Sequence, residues 1–423
     1  ETIPDPVQLA YHLPKGLEIA VDRDYDKFIS NLCSTFPHEE KGIKKFYKTC
    51  WKVFNYLDAM PLLSIEDPAY LAKVFFRAPI SCLGLARWLP VNVGDVADRY
   101  IKDPILRRFI DIECFCWSVM PADRTPMINA GMVFSDRHAG GINYPKGGVG
   151  IIAEKLVKGL KKYGGDIRYR AKVQKVLIKG KKAIGVELVN GEKIYASTII
   201  SNATRWNTFG GEGIKQPLID PINVPVREKK WRTRYKPSPS FLSLHLGVNK
   251  SAIPEGSHCH HLILNKWDEM ESEQGVSFIS IPTLLDPSLA PKGNHIVHAF
   301  TPSSMREWEN LDNKEYLKRK ELAANKLINK IERVFPEVSI NIQHKEIGTP
   351  KSHRRFLGRH LGTYGPIPSR RLPGLLPMPF NSTNIKGFYC VGDSCFPGQG
   401  LNAVAFSGFA CAHKIGASIG INK

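Results

Sequence analysis

The stretch Tyr389-Cys-Val-Gly-Asp-Ser-Cys-Phe-Pro-Gly-Gln-Gly400 limits the fold of this chain more than any other part of it. Phe388 to Val391 reads as a buried strand, the Gly392-Asp393 and Pro397-Gly-Gln-Gly400 phrases as a loop, and the run from Leu401 to about Ser418 as a helix. Strand, loop and helix in that order form the unit of open α/β sheets, whose ligands bind beyond the carboxyl ends of the strands. Asp393 emerges at that edge, and glycines at 398 and 400 let the backbone approach a flat ring. A helix starting near Leu401 presents free N–H groups and a positive dipole end, which favour an electron-rich edge such as that of a flavin. Asp393 would then hold a ribityl hydroxyl. The same spacing equally fits an ordinary loop in which Asp393 caps the next turn. A hydrolase reading of Gly392-Asp393-Ser394 fails because no His and acid follow in a workable order and no Gly-x-Ser-x-Gly elbow exists.

Alternation at Val7, Leu9, Tyr11 and Leu13, then Leu17, Ile19 and Val21, around Pro14-Lys15-Gly16 predicts a hairpin with one buried face. Helical patterns run from Asp26 to about Arg108. Within them Tyr70 to Val93 mixes Phe75, Phe76, Leu83, Leu85, Trp88 and Leu89 with Arg77 and Arg87, which suits either a buried helical subdomain or an interfacial helix pair. A helix over 151–163 stops at Gly164-Gly165, and a hairpin turns at Asn190-Gly191. Strands are expected over 241–248, 261–264, 276–281 and 295–300 in a largely antiparallel sheet. A helix over 314–335 and a strand near 338–347 follow, and the Pro-, Gly- and Arg-rich residues 349–380 read as loop.

At 423 residues the chain exceeds one ordinary core, and its nine scattered cysteines contain no CxxC pair, so a disulfide scaffold is excluded and a reducing compartment fits. The formal charge of +19 is spread along the chain without a nucleic-acid module, so the expected partner is an anionic membrane surface and not nucleic acid. No apolar run is long enough for a spanning helix. The chain begins at Glu1 in a strand-like phrase and is expected to be a fragment or trimmed product without a transit segment.

Gly148-Val-Gly150-Ile-Ile-Ala153 matches a dinucleotide fingerprint, but a proline breaks the strand that should precede it. His258-Cys259-His260-His261 offers metal-type ligands, yet strand neighbours face opposite sides, so a structural or edge role is expected and no metal. Asp111 and Glu113, with Arg137-His138, place charge among apolar residues. Glu113 is the candidate proton donor, and a paired structural acid is the favoured alternative.

Taken together, Gly141-Ile-Asn-Tyr-Pro-Lys-Gly-Gly148, Thr198-Ile-Ile-Ser-Asn-Ala203, Thr363-Tyr-Gly-Pro366 and the 390–400 phrase resemble the plant and algal prolycopene isomerases. Phe36-Pro-His-Glu39, Thr125-Pro-Met-Ile-Asn-Ala130, Asp136-Arg-His138 and His353-Arg-Arg355 extend the likeness over essentially the whole chain. The resemblance implies an FAD-dependent two-domain fold of the phytoene desaturase and amine oxidase type, a Rossmann-like α/β domain interleaved with an α+β substrate domain. The substrate domain would hold 1–139 and 205–372, and the FAD domain 140–204 and 373–423, with the G-x-G-x-x-G segment outside the chain. It implies FAD contacts at Gly392, Asp393, Gly398, Gly400, Leu401 and Asn402, and at Val173 through its backbone. Residues 401 and 402 depart from typical members, which points to a paralogue. The implied reaction turns the cis double bonds of poly-cis-lycopene to trans with reduced FAD and no net redox change, at a plastid membrane. The alternatives are a carotenoid desaturase, a retinol saturase-type enzyme and a non-catalytic carotenoid-binding protein.

Overall fold

A computed structural model describes residues 1–60, 66–368 and 378–420, apart from the side chains at 130 and 132. The chain opens with β1 (Thr2–Pro4) and the hairpin β2 (Val7–His12) and β3 (Glu18–Asp22), then runs through α1 (Tyr25–Thr35), α2 (Glu40–Asp58), α3 (Pro68–Arg77), α4 (Pro79–Ala86), α5 (Val93–Tyr100), α6 (Pro104–Ser118) and α7 (Met127–Ala139). Next come β4 (Asn143–Pro145), α8 (Gly150–Lys162), β5 (Val173–Lys179), β6 (Lys182–Leu188), β7 (Lys193–Tyr195), β8 (Ile199–Ser201), α9 (Arg205–Phe209) and α10 (Val226–Arg234). The remainder is β9 (Ser240–Asn249), β10 (His260–Leu264), β11 (Val276–Ser280), β12 (Asn294–Ser303), α11 (Asn313–Ile331), β13 (Ile342–Gly348), α12 (Pro350–Leu357), β14 (Phe388–Cys390) and α13 (Leu401–Ser418).

A seven-stranded sheet in the order β13-β9-β12-β11-β10-β2-β3 organises the first unit. It is antiparallel except where β10 pairs parallel with β2, so the amino-terminal hairpin extends a sheet built mostly from residues far along the chain. Alternation decides its two faces. In β9, Leu242, Leu244, Leu246 and Val248 are buried and pack with Leu327, Ile328 and Ile331 of α11. The other face presents Phe241 and His245. Asp312 and Glu315 cap α11 reciprocally, which satisfies backbone donors at its start.

The helical unit buries Phe28, Phe46, Tyr47, Phe109 and Phe134 in one cluster with residues of β2 and β3. Inside it, Arg137 Nη1 donates to Glu113 Oε1 at 2.6 Å and the Tyr47 hydroxyl donates to Glu113 Oε2 at 2.9 Å. The Arg137 guanidinium also lies over the rings of Phe28 and Phe134. Helices α3 and α4 bend by 110° at their junction, and among the described residues no single helix is long and apolar enough to cross a membrane.

The third unit is α/β. β14 and β8 form a parallel pair, β5, β6 and β7 a three-stranded antiparallel sheet, and one cluster joins Val176 and Ala183 to Phe388 and Cys390. Phe209, Ile219 and Val224 belong to the same cluster, so this unit's core continues past the boundary expected at 204. The other expected boundary, 372/373, falls outside the described residues. The segment expected to be loop from 349 holds α12, because Thr349 and Ser352 form a capping box and Pro350 sits at the first helical position.

Glu113→Ala should lower stability by about 3–5 kcal/mol in urea unfolding, since it strands a buried guanidinium. The double change Glu113→Leu with Arg137→Met should recover most of that loss.

Candidate functional site

The parallel pair β8 and β14 ends at Ser201 and Cys390, and both strands release their loops on the same side. From β8 comes Asn202. From β14 comes the 392–400 loop that leads into α13.

Gly392 sits here with φ +91°, and a Cβ on it would lie 2.3 Å from Asn202 Oδ1, so only glycine fits. Its N–H donates to Ser407 Oγ at 3.2 Å, which ties the loop to α13. Asn381 Nδ2 donates to Cys390 O at 2.9 Å and lies 3.0 Å from the same Ser407 hydroxyl. The loop is thereby fixed to the helix whose first turn it precedes.

Asp393 is half-buried, and its Oδ2 accepts from Arg359 while Oδ1 accepts from the Ser394 hydroxyl at 3.3 Å. Burial pushes the Asp393 carboxyl up from its ordinary value, and the Arg359 guanidinium opposes that shift. Arg359 also donates to Thr363 O and lies over the Tyr364 ring. A Cβ on Gly365, with φ +112°, would meet Asp393 O at 2.9 Å. Gln399 Nε2 donates to Pro366 O at 3.0 Å. The 363–366 phrase, the 198–203 phrase and the 390–400 phrase therefore converge on one place.

Gly400 is the N-cap of α13 with no side chain capping the helix, and nothing lies within 4 Å of a Cβ built on it. Leu401 and Asn402 in the first turn are exposed. Gly398, with φ +124°, faces Met378. A flat, electron-rich ligand edge fits such an uncapped helix end.

The remaining sequence candidates lie elsewhere. Val173 opens β5 opposite Leu188, and a register break between Val173 and Lys175 takes the backbone there out of a regular ladder. Glu113 belongs to the helical core, where Arg137 and Tyr47 already occupy its two oxygens and no edge of it faces solvent. Both carboxylate oxygens of Glu113 are thus held by core partners, and none of its contacts reaches the Asp393 loop. The 148–153 fingerprint follows β4, which pairs antiparallel with β1, so it does not stand at the end of a parallel strand.

Sequence reading missed Arg359 and an aromatic row beside it. Tyr364 packs on Phe241 at 4.8 Å, Phe241 on Phe300 at 5.0 Å, and Phe300 on Phe278 at 4.7 Å. His245 and His298 stack at 4.4 Å on the same face. Burial lowers His298 to about 4 and lowers His245 and His353 as well, so all three are neutral near pH 7. The signal available was the alternation of β9 and β12, which sets Phe241, His245, His298 and Phe300 opposite the core face.

No family model matches the chain. Over 424 residues it is 53% identical to prolycopene isomerase 1, chloroplastic, of an Oncidium hybrid cultivar, with all of this chain aligned to 71% of that protein. It is 51% identical over 425 residues to prolycopene isomerase, chloroplastic, of Arabidopsis thaliana, again over the whole chain and 70% of the relative. A phytoene desaturase (lycopene-forming) of Pseudescherichia vulneris is 23% identical over 426 residues, 96% of this chain and 82% of that one. Among solved structures, an oxidoreductase from Methanosarcina mazei superposes with a TM-score of 0.60 at 17% identity over 97% of this chain and 82% of its own. Putrescine oxidase bound to putrescine gives 0.59 at 13% identity over 99% and 82%. These structures share the fold.

Gly392→Ala should cost about 1–3 kcal/mol by urea unfolding, from strain at a positive φ combined with the Asn202 contact. Gly408→Ala, in the middle of α13 with nothing within 4 Å of the new Cβ, should be neutral or stabilising in the same measurement.

Proposed function

The chain belongs to the prolycopene isomerase family, and from that premise we propose that it is a carotenoid cis–trans isomerase that converts poly-cis-lycopene to all-trans-lycopene on an FAD-dependent scaffold. The observation that carries the site assignment is the convergence of three motif phrases on Asp393 and the uncapped start of α13.

The residues present fit FAD. Ionised Asp393 has about four lone-pair sites, and Arg359 and Ser394 leave room to accept a ribityl hydroxyl. Gly398 and Gly400 would admit the ring, the N–H groups of the Leu401 and Asn402 turn would face its pyrimidine edge, and the irregular backbone at Val173 would meet adenine. Gly392 holds Asp393 in place through Ser407. When bound in its reduced form, FAD supplies electron density that lowers the order of a carbon–carbon double bond, with no net redox change.

The protein's own contribution is orientation and exclusion of water. The row Phe278, Phe300, Phe241 and Tyr364 gives a long apolar face that ends at Arg359 and Asp393, suited to a conjugated hydrocarbon. Tyr364 Oη lies 3.4 Å from His353 Nδ1, which leaves the hydroxyl hydrogen-bonded while the ring faces Phe241. The neutral histidines keep positive charge away from the polyene. Positive charge is instead concentrated at Arg359 and the α13 dipole, where an anionic flavin would be stabilised.

The surface of α3 and α4 supports a contact with a plastid membrane as part of this reading. Leu71, Phe75, Phe76, Ile80 and Leu83 are exposed on the bent pair, Phe76 at 82% and Ile80 at 78%, with Lys73, Arg77 and Arg87 alongside. An apolar surface flanked by basic groups fits an anionic lipid interface, and relatives named chloroplastic support a plastid membrane as the one it would meet.

Full-length protein given tetra-cis-lycopene and reduced FAD without oxygen should yield all-trans-lycopene of unchanged mass. A product lighter or heavier by hydrogens would make the enzyme a desaturase or saturase, and bound pigment without turnover a carrier. Asp393→Ala should weaken flavin binding by about ten- to a hundredfold, the loss of one charge-assisted hydrogen bond. Unchanged flavin occupancy would remove the site assignment. In flotation with phosphatidylglycerol vesicles, Phe76→Ser with Ile80→Ser should reduce binding by about tenfold or more. Equal flotation of the two proteins would remove α3 and α4 from the membrane contact.

A further inference from the structure

The His258-Cys259-His260-His261 phrase does not behave as consecutive strand residues. β10 starts only at His260, and Cys259 lies at the junction before it, its carbonyl accepting from Ile281 N–H at 2.8 Å. The side chains of these two neighbours nevertheless approach, with Cys259 Sγ 3.6 Å from His260 Nε2. Asp5, from the link between β1 and β2, brings Oδ2 to 3.7 Å from the same Nε2. The three ligand atoms lie within 4.8 Å of one another.

Asp5 is 2% exposed, and Cys259 equally so. Its Oδ1 accepts from Val7 N–H at 3.2 Å, whereas its Oδ2 has no hydrogen-bond partner. A buried carboxylate oxygen without a partner costs free energy unless a cation or water meets it. The 3.7 Å to His260 is too long for a hydrogen bond to fill that role. On the far side of the ring, His260 Nδ1 lies 2.9 Å from Ser280 Oγ. Donation from Nδ1–H to that hydroxyl leaves the Nε2 lone pair facing Asp5 and Cys259, the arrangement that orients a metal-bound imidazole.

Tetrahedral zinc, with bonds of about 2.0 Å to nitrogen or oxygen and about 2.3 Å to thiolate, sets neighbouring ligand atoms roughly 3.3–3.8 Å apart. The 3.6 Å to the thiol matches the roughly 3.5 Å of a tetrahedral N–S pair, and the 3.7 Å to Asp5 would close by roughly 0.4 Å on metal binding. We propose that Asp5, Cys259 and His260 form a site for zinc or a similar borderline divalent cation, with water as the fourth ligand. Its place defines its role. Asp5 follows β1, which pairs with β4, while Cys259 and His260 lead into β10 of the seven-stranded sheet. A metal here would clamp the β1–β4 ribbon to that sheet, away from the elements that carry Asp393.

The test uses protein stripped with chelator and titrated with Co(II), then with Zn(II). The wild type should bind one equivalent of Co(II) with a thiolate charge-transfer band and the visible bands of tetrahedral cobalt, and Zn(II) should displace it. Cys259→Ser should abolish the charge-transfer band, and Asp5→Asn and His260→Gln should each weaken binding by at least about tenfold. His261→Gln, which alters the neighbouring pair of His12 and His261, should leave the spectrum intact. Far-ultraviolet circular dichroism of the metal-free variants separates ligand loss from unfolding. Should a variant not fold, the wild type alone decides, since its melting temperature must rise with Zn(II) and fall back with chelator. No stoichiometric Co(II) binding, no such rise, a charge-transfer band that survives Cys259→Ser, or one lost in folded His261→Gln would each overturn the site.

Discussion

The parallel pairing of β14 with β8 is the constraint on which the rest of the molecule depends. Parallel neighbours need a crossover, and here it runs from α9 through α12 and carries five of the seven strands of the large sheet. Because both strands end on the same side, Asn202 and the Gly392-Asp393 turn arrive together, and neither loop alone could form the site. The close packing between them demands glycine at 392, since the backbone turns left-handed directly beside the Asn202 side chain. The Arg359–Asp393 pair completes the closure by joining the chain that leaves the large sheet to the loop after β14.

What the sequence made legible was local. The hairpin around Pro14-Lys15-Gly16 could be read because alternation and turn chemistry agree, and in the structure Lys15 and Gly16 both take positive φ. The strands of the large sheet were legible for the same reason, and the loop after β14 because Gly, Pro and Asp punctuate it. α12 was overlooked although Thr349-Pro350 with Ser352 is a helix-start signal; the surrounding Pro, Gly and Arg content outweighed it. Arg359 could not have been found, because the carboxylate it meets is 34 positions away and only the fold brings them together. The same holds for Asp5, whose neighbours Cys259 and His260 lie far along the chain at the start of β10, and for Phe209, Ile219 and Val224, which join a core whose expected boundary lay at 204.

The buried charges follow a single rule. Arg137 with Glu113 and Arg205 with Glu228 are both nearly inaccessible, and each arginine has a further carbonyl or aromatic contact. Replacing such pairs by apolar residues is often neutral for stability, so their value lies in fixing one arrangement. Arg205 stands beside Cys390 and Cys395 at the base of the β14 loop, where a slip of the strand would uncover a charge. In a chain with a surplus of basic residues, a few acids are placed where they decide geometry, and the rest of the positive charge remains on the surface.

The apolar helix pair and the site helix are mechanically joined. Glu66, just before α3, accepts from Lys414 of α13 at 2.9 Å and from Ser382, and Tyr70 of α3 packs edge-on against His413 at 6.2 Å. The element with the greatest apolar exposure therefore rests on the helix whose amino end faces the proposed ring site. A conjugated hydrocarbon has negligible solubility in water, so its route must be a continuous apolar surface from lipid to the reacting bonds. On the proposed reading, the α3–α4 surface would supply one end of such a route and the Phe278, Phe300, Phe241 and Tyr364 row the other. Because α13 contacts the first, and its preceding loop binds the chain beside the second through Gln399 and Pro366, a shift of α13 would move both together. On the proposed assignment, substrate entry and cofactor placement would be one mechanical problem, answered by a single helix.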